Sequence, residues 1–216
     1  MNIESSVADR IPSRKKIGSC AGSQIDPFRK REIYYESQLE RDHMARFIVR
    51  PDVVEIREQQ LVEYVKNGKD CKHYVDFIVE LDTGHRIAYF VKNSVDAEKK
   101  KLRESIHEIV AGCDESFADE YIILTEHHLD HVAVANSKFI IQCGKEFDYD
   151  ATSAVRTCLR SLGSTVTPRQ IEELTGLGDR GSRALVALLQ SGDVRLAVPG
   201  AQIETETPFE NSITGS

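Results

Sequence analysis

Three side chains in this sequence, two acidic and one basic, have the types and spacing for phosphodiester chemistry. Asp76 interrupts the apolar run His73-Tyr74-Val75-Asp76-Phe77-Ile78-Val79-Glu80-Leu81, and Lys92 ends the run Ile87-Ala88-Tyr89-Phe90-Val91-Lys92. Glu40 lies upstream in Ser37-Gln38-Leu39-Glu40. Carboxylate oxygens suit a hard cation such as Mg²⁺ or Mn²⁺. A lysine beside the ion can orient water and stabilise the charge that builds on phosphorus. In this reading Glu40, Asp76 and Lys92 are the catalytic residues, with Glu40 and Asp76 as the metal ligands.

The two runs must form a hairpin for that chemistry to exist. Side chains alternate along a strand, so Asp76, Ile78 and Glu80 share one face, as do Phe90 and Lys92. A three-residue loop, Asp82-Thr83-Gly84, pairs Leu81 with His85 and Asp76 with Phe90, which puts Asp76 and Lys92 on one side. A two-residue Thr83-Gly84 loop would separate them. Glycine at the third position favours the first register. Each residue also has a plainer reading. Asp76 and Lys92 can be a strand-edge ion pair, and Ser37-x-x-Glu40 is a capping box that explains Glu40 as helix stabilisation.

The elements around these residues read as a mixed α/β domain. A helix runs from Ser37 to about Val49, ahead of Pro51. Val53–Ile56 and Leu61–Val65 have short strand character, and Val95–Gly112 reads as one amphipathic helix with Leu102, Ile106, Ile109 and Val110 inward. Tyr121–Leu124 and Phe139–Gln142 read as buried strands. A second unit follows: a helix over Ala151–Leu162, a strong helix start at Thr167-Pro168-Arg169-Gln170, a helix from Asp179 to Gly192, and a strand over Val194–Val198. The predicted organisation is a basic flexible arm over 1–31, a nuclease domain over 32–148, a winged-helix-like domain over 149–200 and a flexible tail over 201–216.

Composition bounds the function class. The chain has 216 residues, 40% hydrophobic and 29% charged, as in ordinary globular proteins. No apolar run approaches the length needed to cross a bilayer, and the N-terminus carries no signal pattern. The five cysteines form no CxxC pair, so a reducing, cytoplasmic compartment is expected. Net charge is −7, against indiscriminate nucleic-acid binding, but residues 1–31 carry about +4 and the remainder about −11. A basic arm can touch phosphates locally, or be a solvated tail.

Other groups read as structural. His127-His128-x-x-His131 lacks Cys or carboxylate partners at zinc spacing and reads as a solvated loop. His43 reads as packing. Glu98-Lys99-Lys100-Lys101 reads as a solvated face, with phosphate contact the lesser option. Arg180 and Arg183 open the last helix, where a winged-helix protein would meet DNA, although surface charge or partner contact fits them equally.

From Tyr35 to about Phe147 the chain resembles TnsA, the endonuclease subunit of heteromeric cut-and-paste transposases. Glu36-Ser37-Gln38-Leu39-Glu40-Arg41-Asp42 resembles the family's Ser-x-x-Glu helix start. Arg50-Pro51-Asp52-Val53-Val54 with Glu58-Gln59 resembles its Asp-Val and Gln-Pro segment, with Gln60 replacing proline. His73-Tyr74-Val75-Asp76-Phe77 resembles Tyr-x-Pro-Asp-Phe, with Val75 replacing proline. Val91-Lys92 resembles the terminal Val-Lys, and Ile123-Leu124-Thr125-Glu126 with Asn136 fits the later strand and loop. The resemblance implies an α/β, restriction-endonuclease-like mixed-sheet core followed by a small C-terminal winged-helix-like domain. It implies a metal-dependent endonuclease that cuts the 5′ strands at transposon ends. A TnsB-type transposase would cut and join the 3′ ends, and the C-terminal unit would bind that transposase or a TnsC-type AAA+ ATPase regulator. The setting would be the bacterial cytoplasm, at the nucleoid when active, with no membrane partner. Glu40, Asp76 and Lys92 match the family's catalytic positions. Phe90 departs from them: the usual motif has Glu, Asp or Gln two residues before the lysine. The ion would then keep Glu40, Asp76, the Val91 carbonyl, water and phosphate oxygens, and Phe90 would face it from across Asp76. The alternative is a catalytically inactive architectural subunit that binds DNA or protein within a transposition complex.

Overall fold

A computed structural model describes residues 2–12, 20–99, 102–114 and 116–213. The chain divides into two compact units, Met1–Phe47 with Asp52–Leu129, and Ile48–Pro51 with Asp130–Ser216. The division at 129/130 differs from the boundary expected at 148/149, because the run expected as a strand at Phe139–Gln142 is helical. Its buried neighbours Val134, Ser137, Ile140, Ile141 and Gly144 recur at helical spacing, and Asp130 caps the helix through the Ala133 N–H. A four-residue apolar run cannot by itself distinguish strand from helix.

The first unit opens with an antiparallel hairpin, β1 (Gly22–Asp26) and β2 (Arg31–Tyr35). Helix α1 (Gln38–Ile48) leads to β3 (Val53–Lys66), β4 (Lys69–Leu81) and β5 (Arg86–Val91). Helices α2 (Ser94–Lys99) and α3 (Leu102–Val110) cross to β6 (Glu120–Leu124). The sheet order is β3-β4-β5-β6, with β5 and β6 parallel and the other pairs antiparallel. The two short strands expected within 53–65 are one long strand, bent where Gln59 adopts a left-handed φ of 51°. The helix expected over 95–112 is described as α2 and α3, and residues 100–101 lie outside the described residues.

The sheet separates two apolar layers. On one side Phe47 of α1 packs on Phe77 and Tyr89, with ring centroids 5.8 and 4.7 Å apart. On the other, Leu102, Ile106 and Ile109 of α3 pack with Val62, Val75, Ile78, Ala88 and Phe90. Val75 and Ile78 share that layer, although an uninterrupted strand would put them on opposite faces. The alternation therefore slips at Asp76, opposite the Gln59 bend.

Residues expected as a flexible arm are instead built into this unit. Glu4 bridges to Arg31, Ser6 Oγ donates to the buried Glu58 carboxylate, and the Asp9 N–H donates to the Gln59 carbonyl. Residues 20–31 belong largely to the β1–β2 hairpin. The arm's Arg14, Lys15 and Lys16 lie outside the described residues.

In the second unit, α4 (His131–Lys145) precedes α5 (Tyr149–Ser161), β7 (Thr165–Val166), α6 (Pro168–Thr175), α7 (Asp179–Ala187), β8 (Val194–Leu196) and β9 (Phe209–Asn211). The α6 start is the capping box that its sequence predicts, Thr167 with Gln170 and Pro168 in the first turn. The three strands form one antiparallel sheet ordered β7-β9-β8. The tail expected to be flexible from 201 supplies the central strand of that sheet, with Phe209 fully buried.

Candidate active site

The β4–β5 hairpin sets the register of the site. Its loop is Asp82-Thr83-Gly84, with the Leu81 N–H on the His85 carbonyl at 2.9 Å and Gly84 at φ 80°. Phe77 pairs with Tyr89 and Glu80 with Arg86, the register that the glycine position predicts. Lys92 Nζ lies 3.2 Å from Asp76 Oδ2. The same oxygen accepts the Val91 N–H at 2.7 Å. The Asp76 side chain therefore holds the end of β5 directly, and Oδ1 accepts no hydrogen bond among the described residues.

Glu40 comes from the first turn of α1. Ser37 Oγ accepts the Glu40 N–H at 3.1 Å, while Glu40 accepts the Glu36 N–H at 2.7 Å and the Ser37 hydroxyl at 2.9 Å, so the helix start is capped, but the return bond reaches the Glu36 N–H and not that of Ser37 as in a capping box. That plain structural role coexists with a second one. Burial first, then the negative charge of Asp76, pushes the Glu40 carboxyl up to about 7. Glu40 and Asp76 are 3% and 2% exposed, so two like-charged groups face each other with little water to screen them. Burial draws the Lys92 ammonium down, but Asp76 and Glu40 outweigh it, and the net shift is upward. The structure thus brings Glu40, Asp76 and Lys92 into one electrostatic cluster.

This donor set fits a hard divalent cation in one respect and limits it in another. Two buried carboxylates that repel each other gain from a cation between them, and Asp76 Oδ1 is open to it. Among the described residues no group of three or more His, Cys, Asp or Glu side chains is placed to hold a metal. An ion here would rest on two carboxylates and complete its shell with water and phosphate oxygens, a manner of binding ordinary for Mg²⁺. Phe90 does not supply a third ligand, nor does it face a solvent cleft. It is 1% exposed within the α3-side apolar layer, its ring 5.5 Å from that of His73.

The remaining candidates have structural partners. His43 is buried, its Nε2 is 3.1 Å from the Thr125 carbonyl, and burial holds its pKa down. His128 Nδ1 accepts the Thr125 N–H and so caps a short 3-10 turn over Glu126–His128, which removes it from metal binding. Asn136, matched above to a loop, is buried in α4, where it donates to the Ala201 carbonyl and accepts the Ile203 N–H. Arg180 and Arg183 at the start of α7 pair with Asp148 and Glu146.

Sequence spacing misses four residues around the carboxylates: Arg10, Glu36, Gln59 and His73. Arg10 bonds Glu36 and Gln59, and His73 feels the charges of Asp76, Lys92 and Arg10. His73 Nε2 and Gln59 Nε2 are buried without a hydrogen-bond partner among the described residues. Glu36, Gln59 and His73 stand in the segments that carry the family resemblance, with no role read for them there, and Arg10 stands in none. Compared with known protein families and with curated proteins, the chain matches none.

Proposed function

We propose that the first unit is a metal-dependent DNA endonuclease of the TnsA type, cleaving 5′ strands at transposon ends, with Mg²⁺ or Mn²⁺ as its cofactor. The observation that carries this reading is the Asp76–Lys92 contact of 3.2 Å, beside a Glu40 carboxyl pushed up first by burial and then by the charge of Asp76. Perturbed acids clustered with a lysine are characteristic of catalytic sites. The four-stranded mixed sheet, with catalytic candidates on α1, β4 and the end of β5, is read as a restriction-endonuclease-like core.

A bound divalent ion would supply positive charge and a more acidic water. Glu40 and Asp76 would hold it from two elements. Asp76 also fixes the end of β5 through the Val91 N–H, which keeps Lys92 in place. Lys92, held cationic by both acids, meets a non-bridging oxygen of the scissile phosphate and stabilises the charge that builds there. The second unit, with helix-strand-helix-helix followed by two strands in the order β7-β9-β8, is read as a winged helix. Its α7 arginines are already paired, so it serves a TnsB-type transposase or a TnsC-type AAA+ regulator more than base reading. The bacterial cytoplasm is the expected compartment.

One observation favours a second reading. With Phe90 in the core only two carboxylates remain, as in an architectural subunit that has lost cleavage. End-labelled transposon-end DNA, incubated with Mg²⁺ or Mn²⁺ and the partner transposase, separates the two. The enzyme gives 5′-strand nicks that vanish in Asp76→Ala, whereas the architectural subunit gives none while still supporting assembly.

A further inference from the structure

We propose that Arg10, in the N-terminal segment, is a positioning residue of the site: it braces the element that carries Glu40 against the strand that faces Asp76. The inference rests on the reading above and concerns how the two carboxylates are kept in register. The direction of the Glu40 carboxylate is set by residues 36 and 37, which both hydrogen-bond to it. Glu36 is in turn held by Arg10, whose Nη2 lies 2.7 Å from Glu36 Oε2. From the same guanidinium, Nε and Nη2 donate to Gln59 Oε1 at 2.9 and 2.7 Å.

Gln59 stands at the bend of β3, between the pairs Glu58–Phe77 and Gln60–Val75, and so opposite Asp76 in the ladder. A guanidinium only donates, so Gln59 must turn Oε1 toward Arg10. Its Nε2 is thereby left buried without a partner among the described residues, a cost that a loosely placed arginine would not impose. Arg10 is itself held on several sides. Its guanidinium lies 4.3 Å from the Tyr74 ring centroid, and Asp9 clasps β3 through the Gln59 carbonyl at 3.2 Å and the Leu61 N–H at 2.7 Å. A planar fork with two partners at different angles is work for arginine, and lysine would meet only one of them.

Mn²⁺ binding to the full chain, read by the loss of the free-ion electron paramagnetic resonance signal, tests this without requiring cleavage. Arg10→Ala should weaken binding roughly 10-fold or more, the range seen when an outer partner of a metal ligand is removed. Glu36→Gln should weaken it similarly, the double variant no further than the worse single one, and Arg10→Lys should recover part of the loss. At saturating Mn²⁺, nicking by Arg10→Ala should return toward the wild-type rate. Wild-type Mn²⁺ affinity in Arg10→Ala, or in a folded Glu36→Gln should Arg10→Ala unfold, overturns the inference and leaves the site reading intact. Fully additive losses also overturn it. Wild-type protein that binds no Mn²⁺ removes the site reading and this inference with it.

Discussion

The two units differ in where they keep charge: among the described residues the buried acidic side chains all lie in the first. Two of these, Glu40 and Asp76, interact with each other and with Lys92, and burial together with the Asp76 charge favours the protonated form of Glu40. In the second, Arg156, Arg169, Arg180, Arg183 and Arg195 each meet an acidic partner, most of them near the surface. Exposed pairs add little to stability and can be exchanged freely. A buried like-charge pair is costly to fold around and persists where something else needs it. Under the proposed function, the first unit carries the chemistry and the second serves contacts.

The strongest way to break that contrast is to remove the site. Asp76→Ala and Lys92→Ala should each lower nicking by on the order of 10²–10³ or more, the scale for losing a group that stabilises transition-state charge. The comparable change in the second unit, Arg183→Ala, should leave nicking of end-labelled DNA unchanged. Equal losses in both units would erase the distinction.

Phe90→Glu sharpens the comparison next. Were this side chain to face the ion, a carboxylate here would tighten metal binding. With Phe90 in the α3-side core, the substitution instead buries a charge and loses an aromatic ring, which should cost at least about 3 kcal/mol. A thermal melt should show a strongly destabilised protein. A stable variant with tighter Mn²⁺ binding would show that the side chain reaches the ion.

The pH dependence of stability follows from Glu40. Its folded pKa of about 7 lies above the ordinary 4.5, so the folded protein binds the proton more tightly than the unfolded chain. That contribution is complete below about 4.5 and is lost as pH rises to about 7, by at most about 3 kcal/mol. His43 and His73, held low by burial, act with the opposite sign below their ordinary 6.5. The clean readout is therefore wild type minus Glu40→Gln in denaturant melts from pH 5 to 8. The difference should turn against wild type as pH rises, and Mn²⁺ should restore wild type alone.

The smallest effect should come from the paired arginines of α7. Arg180→Ala should barely move the melting temperature of the chain, whereas Asp148→Ala should move it more, because Asp148 also caps α5 through the Ala151 N–H. A fluorescence melt separates the two. Strong loss of DNA binding in Arg180→Ala would instead give α7 a recognition role.

Much of the site's register is legible in the sequence because local turn chemistry governs it. Gly84 at the third loop position decides the β4–β5 pairing from Glu80–Arg86 to Phe77–Tyr89. Thr167, Pro168 and Gln170 mark a helix start just as locally. Asn67-Gly68 carries an equally local hairpin signal for β3–β4, with both residues at positive φ. The positions of Phe90 and Arg10 were not legible. Alternation puts Phe90 beside Asp76, but the slip opposite Gln59 comes from tertiary pairing that spacing does not reveal. Arg10 lies in a segment with no periodicity, and only its partners on distant elements give it a place. The strand at 209–211 was hidden for the same reason, since three residues in a polar stretch become a strand only when β7 and β8 flank them.

Cleavage of supercoiled plasmid bearing transposon ends, in Mn²⁺ with the partner transposase, tests the central claim most directly. Wild-type protein should produce nicked and linear forms whose yield rises with metal. Asp76→Ala and Lys92→Ala should produce neither. Cleavage that survives Asp76→Ala, or wild-type protein that cuts nothing at saturating Mn²⁺, would contradict the account.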